Sequence, residues 1–152
     1  TGRGGKEMIQ IRRMQAKDTD AVAGLEKAIF SQPWSSQGFL DAINLDNTVF
    51  LVAEEKDAII GYVGMYLSVD EGEITNVAVS EESRRRRVGD RLLKELLAIG
   101  REKGISRIVL EVRVSNTAAI RLYEQNGFTL CGTRRGFYEF PKEDAYVMTH
   151  DN

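Results

Sequence analysis

The chain reads as an α/β domain: a mixed, largely antiparallel central sheet with helices on both faces. Three observations predict it. The first half carries β-rich runs separated by short turns, as an antiparallel meander does. The second half alternates strand and helix patterns. No repeat, low-complexity tract or Pro- or Gly-rich linker divides the 152 residues, and the only two prolines are Pro33 and Pro141.

Residues 8–14 alternate apolar and polar side chains, the period of a half-buried strand. Asp18 stands as the N-cap of a helix over 19–30, with Val22, Leu25, Ile29 and Phe30 on one stripe. Pro33, Trp34 and Ser35 break that helix, and a short second one runs through Phe39, Leu40 and Ile43 to Leu45. Runs 47–55 and 58–69 are strands joined by a hairpin at Lys56 and Asp57, and Gly72 turns the chain into a third strand over 73–79. A helix over 88–103 presents Leu92, Leu93, Leu96, Leu97 and Ile99, with Gly104 where a C-cap belongs. A strand over 108–114, a helix over 117–125 stopped by Asn126 and Gly127, and two closing strands over 128–132 and 145–150 complete the sheet.

Composition excludes several classes. Hydrophobic residues at 42% and charged residues at 29% fit a globular domain rather than a disordered or membrane one. A formal net charge of −2, from 21 basic and 23 acidic side chains, is not that of a nucleic-acid-binding surface. No apolar run approaches the ~18 residues of a membrane span, and no signal-peptide core is seen. The single cysteine, Cys131, excludes an internal disulfide and a Cys-rich metal site, and is expected to be a small buried hydrophobe. The expectation is a cytoplasmic protein, monomer or weak dimer, without metal, membrane or direct nucleic-acid partner. Residues 1–7, TGRGGKE, read as a remnant of recombinant expression, leaving one domain over 8–152.

Chemistry concentrates between Leu110 and Phe128. Glu111 on a strand precedes Asn116 at a strand-to-helix turn, and Tyr123 follows on the helix. A carboxylate that accepts a proton and a phenol that donates one are thus directed toward one cleft, the outline of an acyl-transfer site. Each has a plainer reading: Glu111 and Arg113 as a solvent-facing pair, Asn116 as an N-cap, Tyr123 as a core aromatic. A second feature is the run Arg84, Arg85, Arg86 and Arg87 before the long helix. Free N–H groups at a helix start, with forked guanidinium donors beside them, suit a pyrophosphate. A solvated charged loop is the simpler alternative.

In order and spacing, a set of motifs resembles the GNAT superfamily of acetyl-CoA-dependent N-acetyltransferases, over nearly everything from Met8 onward. They are Phe30-x-x-Pro33-Trp34-Ser35, Asn76-Val77-Ala78-Val79, the basic loop into Gly89, Leu110-Glu111-Val112-Arg113-x-Ser115-Asn116, Ala119-x-x-Leu122-Tyr123-Glu124, Asn126-Gly127-Phe128 and Arg134-Arg135-x-Phe137-Tyr138. The resemblance is narrower to the branch that acetylates the N-terminal alanine of a small-subunit ribosomal protein. It implies a sheet split near the cofactor site and acetyl-CoA as cosubstrate. It further implies that Val77, Ala78 and Val79 meet the acetyl-pantetheine arm, largely through backbone groups. Arg84, Arg85, Arg86, Arg87, Val88, Gly89 and Asp90 would hold the pyrophosphate, and Asn116 would contact the cofactor. Glu111 would be general base and Tyr123 general acid, while Pro33, Trp34 and Tyr138 would line a peptide groove.

One departure stands out. The family's loop usually reads Gln or Arg, two residues, Gly, one residue, then Gly or Ala; here the first glycine is Arg87. Either that backbone does not need glycine's freedom or cofactor affinity is altered. For the acceptor, an α-amine of pKa ~7.7–8.0 reaches its neutral form at pH 7 about 3 kcal/mol more cheaply than a lysine of pKa ~10.4. That is compatible with a protein N-terminus. A polyamine, an aminoglycoside or a lysine side chain is the enzymatic alternative, and a non-catalytic acyl-CoA-binding module the other.

Overall fold

The computed structural model describes residues 9–152. The reading of residues 1–7 as an expression remnant lies outside the described residues, as does Met8. Seven strands and four α-helices follow in the order β1 (Gln10–Arg13), α1 (Thr19–Ile29), α2 (Ser36–Ile43), β2 (Thr48–Glu55), β3 (Ala58–Ser68), β4 (Glu71–Val79), α3 (Val88–Glu102), β5 (Arg107–Arg113), α4 (Thr117–Gln125), β6 (Thr129–Glu139) and β7 (Lys142–Asp151). They form one sheet in the order β1-β2-β3-β4-β5-β7-β6, antiparallel except at β4–β5.

Strand alternation sorts the core into two layers. Val49, Leu51 and Ala53 of β2 face the layer filled by Leu92, Leu93, Leu96 and Leu97 of α3. Phe50 and Val52 face the other way, into a cluster with Val22 of α1 and Phe39 of α2. Helices α3 and α4 therefore cover one face, and α1 and α2 the other.

The turns obey local chemistry. Lys56 and Asp57, at φ 51° and 67°, make the left-handed pair that a tight hairpin requires. Helix α3 ends in a Schellman motif, with Ile105 N–H donating to Gly100 O at 2.9 Å and Gly104 N–H to Arg101 O at 3.1 Å. Helix α4 ends in the same motif. Phe128 N–H donates to Tyr123 O at 3.0 Å, Gly127 N–H donates to Glu124 O at 3.1 Å, and Gly127 sits at φ +88°.

Four expectations need correction. Asp18 does not cap α1 with its side chain: the carboxylate takes both forks of Arg12 at 2.8 and 2.9 Å and the N–H of Gln15 at 2.8 Å. Arg12 and the Gln15 N–H hold that carboxyl below its usual range against the opposing effect of burial. The turn before β4 lies at Val69 and Asp70, and Gly72 is already in the strand, where a Cβ would meet Met65 Sδ at 2.7 Å. The closing strands are far longer than 128–132 and 145–150, because β6 is an exposed edge whose polar side chains give no alternation to read. Cys131, on that edge, is exposed rather than buried.

Candidate active site

The site begins where a parallel pairing stops. Strands β4 and β5 share three rungs, Glu71 with Arg107, Gly72 with Ile108 and Glu73 with Val109. Just beyond, the β3–β4 register shifts, so that Thr75 and Asn76 stand opposite Gly64 alone. An extra residue bends and twists a strand, and here it turns β4 away from β5. Ser80 N–H donates to Ile60 O at 2.8 Å. By antiparallel alternation the peptide groups of Ala78 then face β3, while those of Val77 and Val79 face the gap.

A cavity of about 410 Å³ occupies this gap. It brings together Trp34, Val77, Glu111, Asn116, Tyr123 and Tyr138, six of the residues singled out from the sequence. Pro33 is exposed beside it and does not line it. Ala78 does not line it: its side chain is buried against α1 and α2 and its peptide groups are turned to β3. A hollow of about 440 Å³ between α2 and Tyr66 shares Trp34 but carries only Asp41 as a titratable carboxylate. Glu111 and Tyr123 both line the first cavity.

Glu111 alternates out of the core between buried Leu110 and Val112. Burial, reinforced by neighbouring Glu73, pushes its carboxyl above the usual range, and Arg134, at 3.4 Å, opposes the shift without cancelling it. A carboxylate so placed is a stronger base than a free one. Tyr123 comes from the last turn of α4, where the Schellman motif sets Phe128 against it, ring centroids 5.8 Å apart. Burial, with a smaller effect of Tyr138, drives the phenol well above its ordinary value, so it stays protonated. Between them the two supply a proton acceptor and a proton donor to one cavity.

Asn116 caps α4, its side chain accepting from Ala119 N–H at 3.2 Å, and also lines the cleft. Tyr138 is held by Arg113, whose guanidinium lies 4.3 Å from the ring centroid and donates to Pro141 O at 2.8 Å and Phe140 O at 3.0 Å. Arg113 is thus a strut between β5 and the β6–β7 turn rather than the solvent-facing partner of Glu111. Trp34 packs its ring 5.3 Å from Phe39 and 6.3 Å from Phe50.

The arginine loop lies outside the cavity, at the start of α3. All four arginines are exposed. Arg86 is committed to Glu55 through two bonds of 2.9 and 2.5 Å, and Arg84 Nε reaches Val79 O at 3.3 Å. Arg87, the N-cap, has φ 62° and ψ 25°, and Arg85 has φ 68°. The backbone at 87 does adopt glycine's conformation, which corrects the first of the two options left open for this departure. Val88 is buried, and Gly89 is close to α4: a Cβ there would stand 3.2 Å from Leu122. Asp90 points to α4, accepting from Asn126 at 3.0 Å and Lys94 at 3.2 Å. Those bonds outweigh its burial and hold its carboxyl below the usual range.

The sequence reading missed Glu26, which lines the same cavity from α1 at 1% exposure. Its signal was present: it lies four residues after Val22 on an apolar stripe, where a charge is out of place. Among the described residues, no group of three or more His, Cys, Asp or Glu side chains is placed to hold a metal ion, and no helix is long and apolar enough to cross a membrane.

The acetyltransferase (GNAT) family model matches residues 19–128. The chain is similar to N-alpha-acetyltransferase RimI of Mycobacterium tuberculosis, 31% identical over 96% of this chain and 94% of that protein. It is likewise similar to the ribosomal protein bS18-alanine N-acetyltransferase of Salmonella typhimurium, 31% identical over 93% of this chain and 96% of the relative. Among solved structures, the ribosomal-protein-S18-alanine N-acetyltransferase of Escherichia coli superposes with a TM-score of 0.87. It is 28% identical, covering 95% of this chain and 94% of that one.

Proposed function

The chain belongs to the acetyltransferase (GNAT) family, and from that premise we propose that it acetylates a protein α-amine, the N-terminal alanine of a small-subunit ribosomal protein. It is an acetyl-CoA-dependent N-acetyltransferase. The observation that carries the finer reading is the meeting of Glu111 and Tyr123 in one cavity, at the point where β4 and β5 part, with Trp34 and Tyr138 beside them. Its setting is the cytoplasm, where such an acceptor is made.

Each residue has a task in a direct transfer. The peptide groups of Val77 and Val79, free of the β-ladder, pair with the amides of the acetyl-pantetheine arm and receive the developing oxyanion. The exposed guanidinium groups of Arg84, Arg85 and Arg87, with the first N–H groups of α3, take the pyrophosphate. Glu111 removes a proton from the incoming ammonium, and the neutral nitrogen attacks the thioester carbonyl. As the tetrahedral intermediate collapses, Tyr123 gives its proton to the departing thiolate and is restored by the second proton, which the new amide nitrogen sheds. The acceptor's first residues lie between Trp34 and Tyr138.

The test uses acetyl-CoA with two peptides, one with a free N-terminal alanine and one N-blocked with an internal lysine, read by mass spectrometry. An acetyl group on the first alone is expected. Label on the lysine, or on neither while a polyamine is acetylated, overturns the α-amine assignment.

A further inference from the structure

Glu26 is used by no step of the chemistry above, yet it is among the most deeply buried charged groups described, at 1% exposure. Among the described residues no ion pair includes it. Burying a carboxylate without a cation is costly, and a site that needed only volume would be filled by an apolar side chain. Both oxygens are instead engaged by neutral donors. Oε1 accepts from the Tyr62 hydroxyl, and Oε2 accepts from the backbone N–H of Trp34 at 3.2 Å.

These partners differ in rigidity. Tyr62 belongs to β3, is 1% exposed and stacks edge-on to Phe39 at 5.3 Å. Trp34 belongs to the connection between α1 and α2, whose Ser31 hydroxyl also donates to Phe140 O across the cleft. Loops carry few bonds of their own to fix them, so an N–H anchored to a sheet-supported carboxylate sets where the indole stands. Burial raises the Glu26 carboxyl above its usual range, while the Tyr62 and Trp34 donors favour the charged form.

We propose that Glu26 is a positioning residue: steadied by Tyr62, it holds Trp34 as the acceptor-side wall of the cleft and so sets affinity for the acceptor amine rather than the rate of acetyl transfer. The acceptor half of this statement rests on the functional reading above.

Trp34 is the only tryptophan, so its fluorescence reports the wall directly and without turnover. Three variants separate the elements: Glu26→Leu removes both acceptors, Glu26→Gln keeps one, and Tyr62→Phe removes only the brace. In Glu26→Leu the Trp34 emission should shift to the red and become more accessible to acrylamide. KM for the alanine peptide should rise on the order of tenfold, the size of one lost charge-assisted bond. KM for acetyl-CoA and kcat at saturation should stay parental. Glu26→Gln should recover part of both changes, and Tyr62→Phe should show a smaller shift of the same sign.

Unchanged emission in all three variants overturns the proposal, as does a KM that rises equally for both substrates or a fall confined to kcat. Should Glu26→Leu lose its far-UV circular dichroism, Glu26→Gln and Tyr62→Phe give the same decision. A parent enzyme that acetylates neither peptide breaks the functional reading, while the fluorescence still decides whether Glu26 holds Trp34.

Discussion

The arginine loop and the cleft both adjoin the free end of β4, yet they are built on opposite electrostatic terms. In the loop the charges are exposed, and one arginine is already spent on Glu55. Its distinguishing features are backbone ones: the left-handed turns at Arg85 and Arg87 and the close approach at Gly89. In the cleft the ionisable groups are withdrawn from water, and burial is the largest influence on Glu111, Tyr123 and Tyr138 alike. A polyanion is recognised by shape and surface charge. Proton transfer is prepared by desolvation.

If that division holds, loss of the cleft's proton acceptor or donor costs turnover, and damage to the loop does not reach the chemistry. The largest effect is expected for Glu111→Gln, with kcat falling on the order of 10²–10⁴-fold and acetyl-CoA affinity nearly parental, read by steady-state kinetics beside calorimetric titration. Parental turnover removes Glu111 from the base's role. Tyr123→Phe should slow the single-turnover step by about 10²-fold, the low end for a general acid, with the fold intact. A burst rate equal to the parent's would leave the thiolate to another donor.

The loop is sharpened by a stability comparison at one position. Arg87→Gly and Arg87→Ala delete the same charge, but only alanine keeps a Cβ at φ 62°. The glycine variant should be the more stable by about 1 kcal/mol in urea unfolding. Equal midpoints would mean that the left-handed turn places no demand on residue 87.

The smallest effect is a pH shift. Glu111 must be ionised to take a proton, and its folded carboxyl is raised, chiefly by burial and then by Glu73. The acid limb of kcat/KM should therefore lie above the range of a free glutamate. Arg134→Gln removes the cation that pulls it down and should move the limb to higher pH. Glu73→Gln should move it to lower pH. Movement in the opposite sense, or none, would show that the limb belongs to another group.

Much of this was legible in the sequence because it is written locally. The leucine spacing of α3, the paired left-handed turn at Lys56 and Asp57, and the Asn126-Gly127-Phe128 stop each depend on neighbours within a few residues. That Glu111 and Tyr123 share one cavity was legible for the same reason: strand, turn and short helix bring them to one side. What escaped depends on distant partners. Asp18 looked like a cap because its partner Arg12 comes from β1 and not from the helix, and Glu26 was passed over because its donors, Tyr62 and Trp34, come from β3 and a loop. The length of β6 escaped because an edge strand exposed on both faces leaves no alternation. Arg113 paired by pattern with Glu111 but by geometry with the β6–β7 turn.

Among the described residues, the two parts of the sheet are joined by a short backbone seam: the three rungs between β4 and β5 and, just before them, the Ser106 N–H donating to Asp70 O at 2.7 Å. Most sheets expose their unprotected amides at the rim. Here a row of them, at Val77 and Val79, lies in mid-sheet, where local opening needs no outer strand to fray first. If the proposed cofactor arm pairs there, deuterium uptake at those two positions should gauge site occupancy: fast when the gap holds only water, slow when the ligand's amides close the seam.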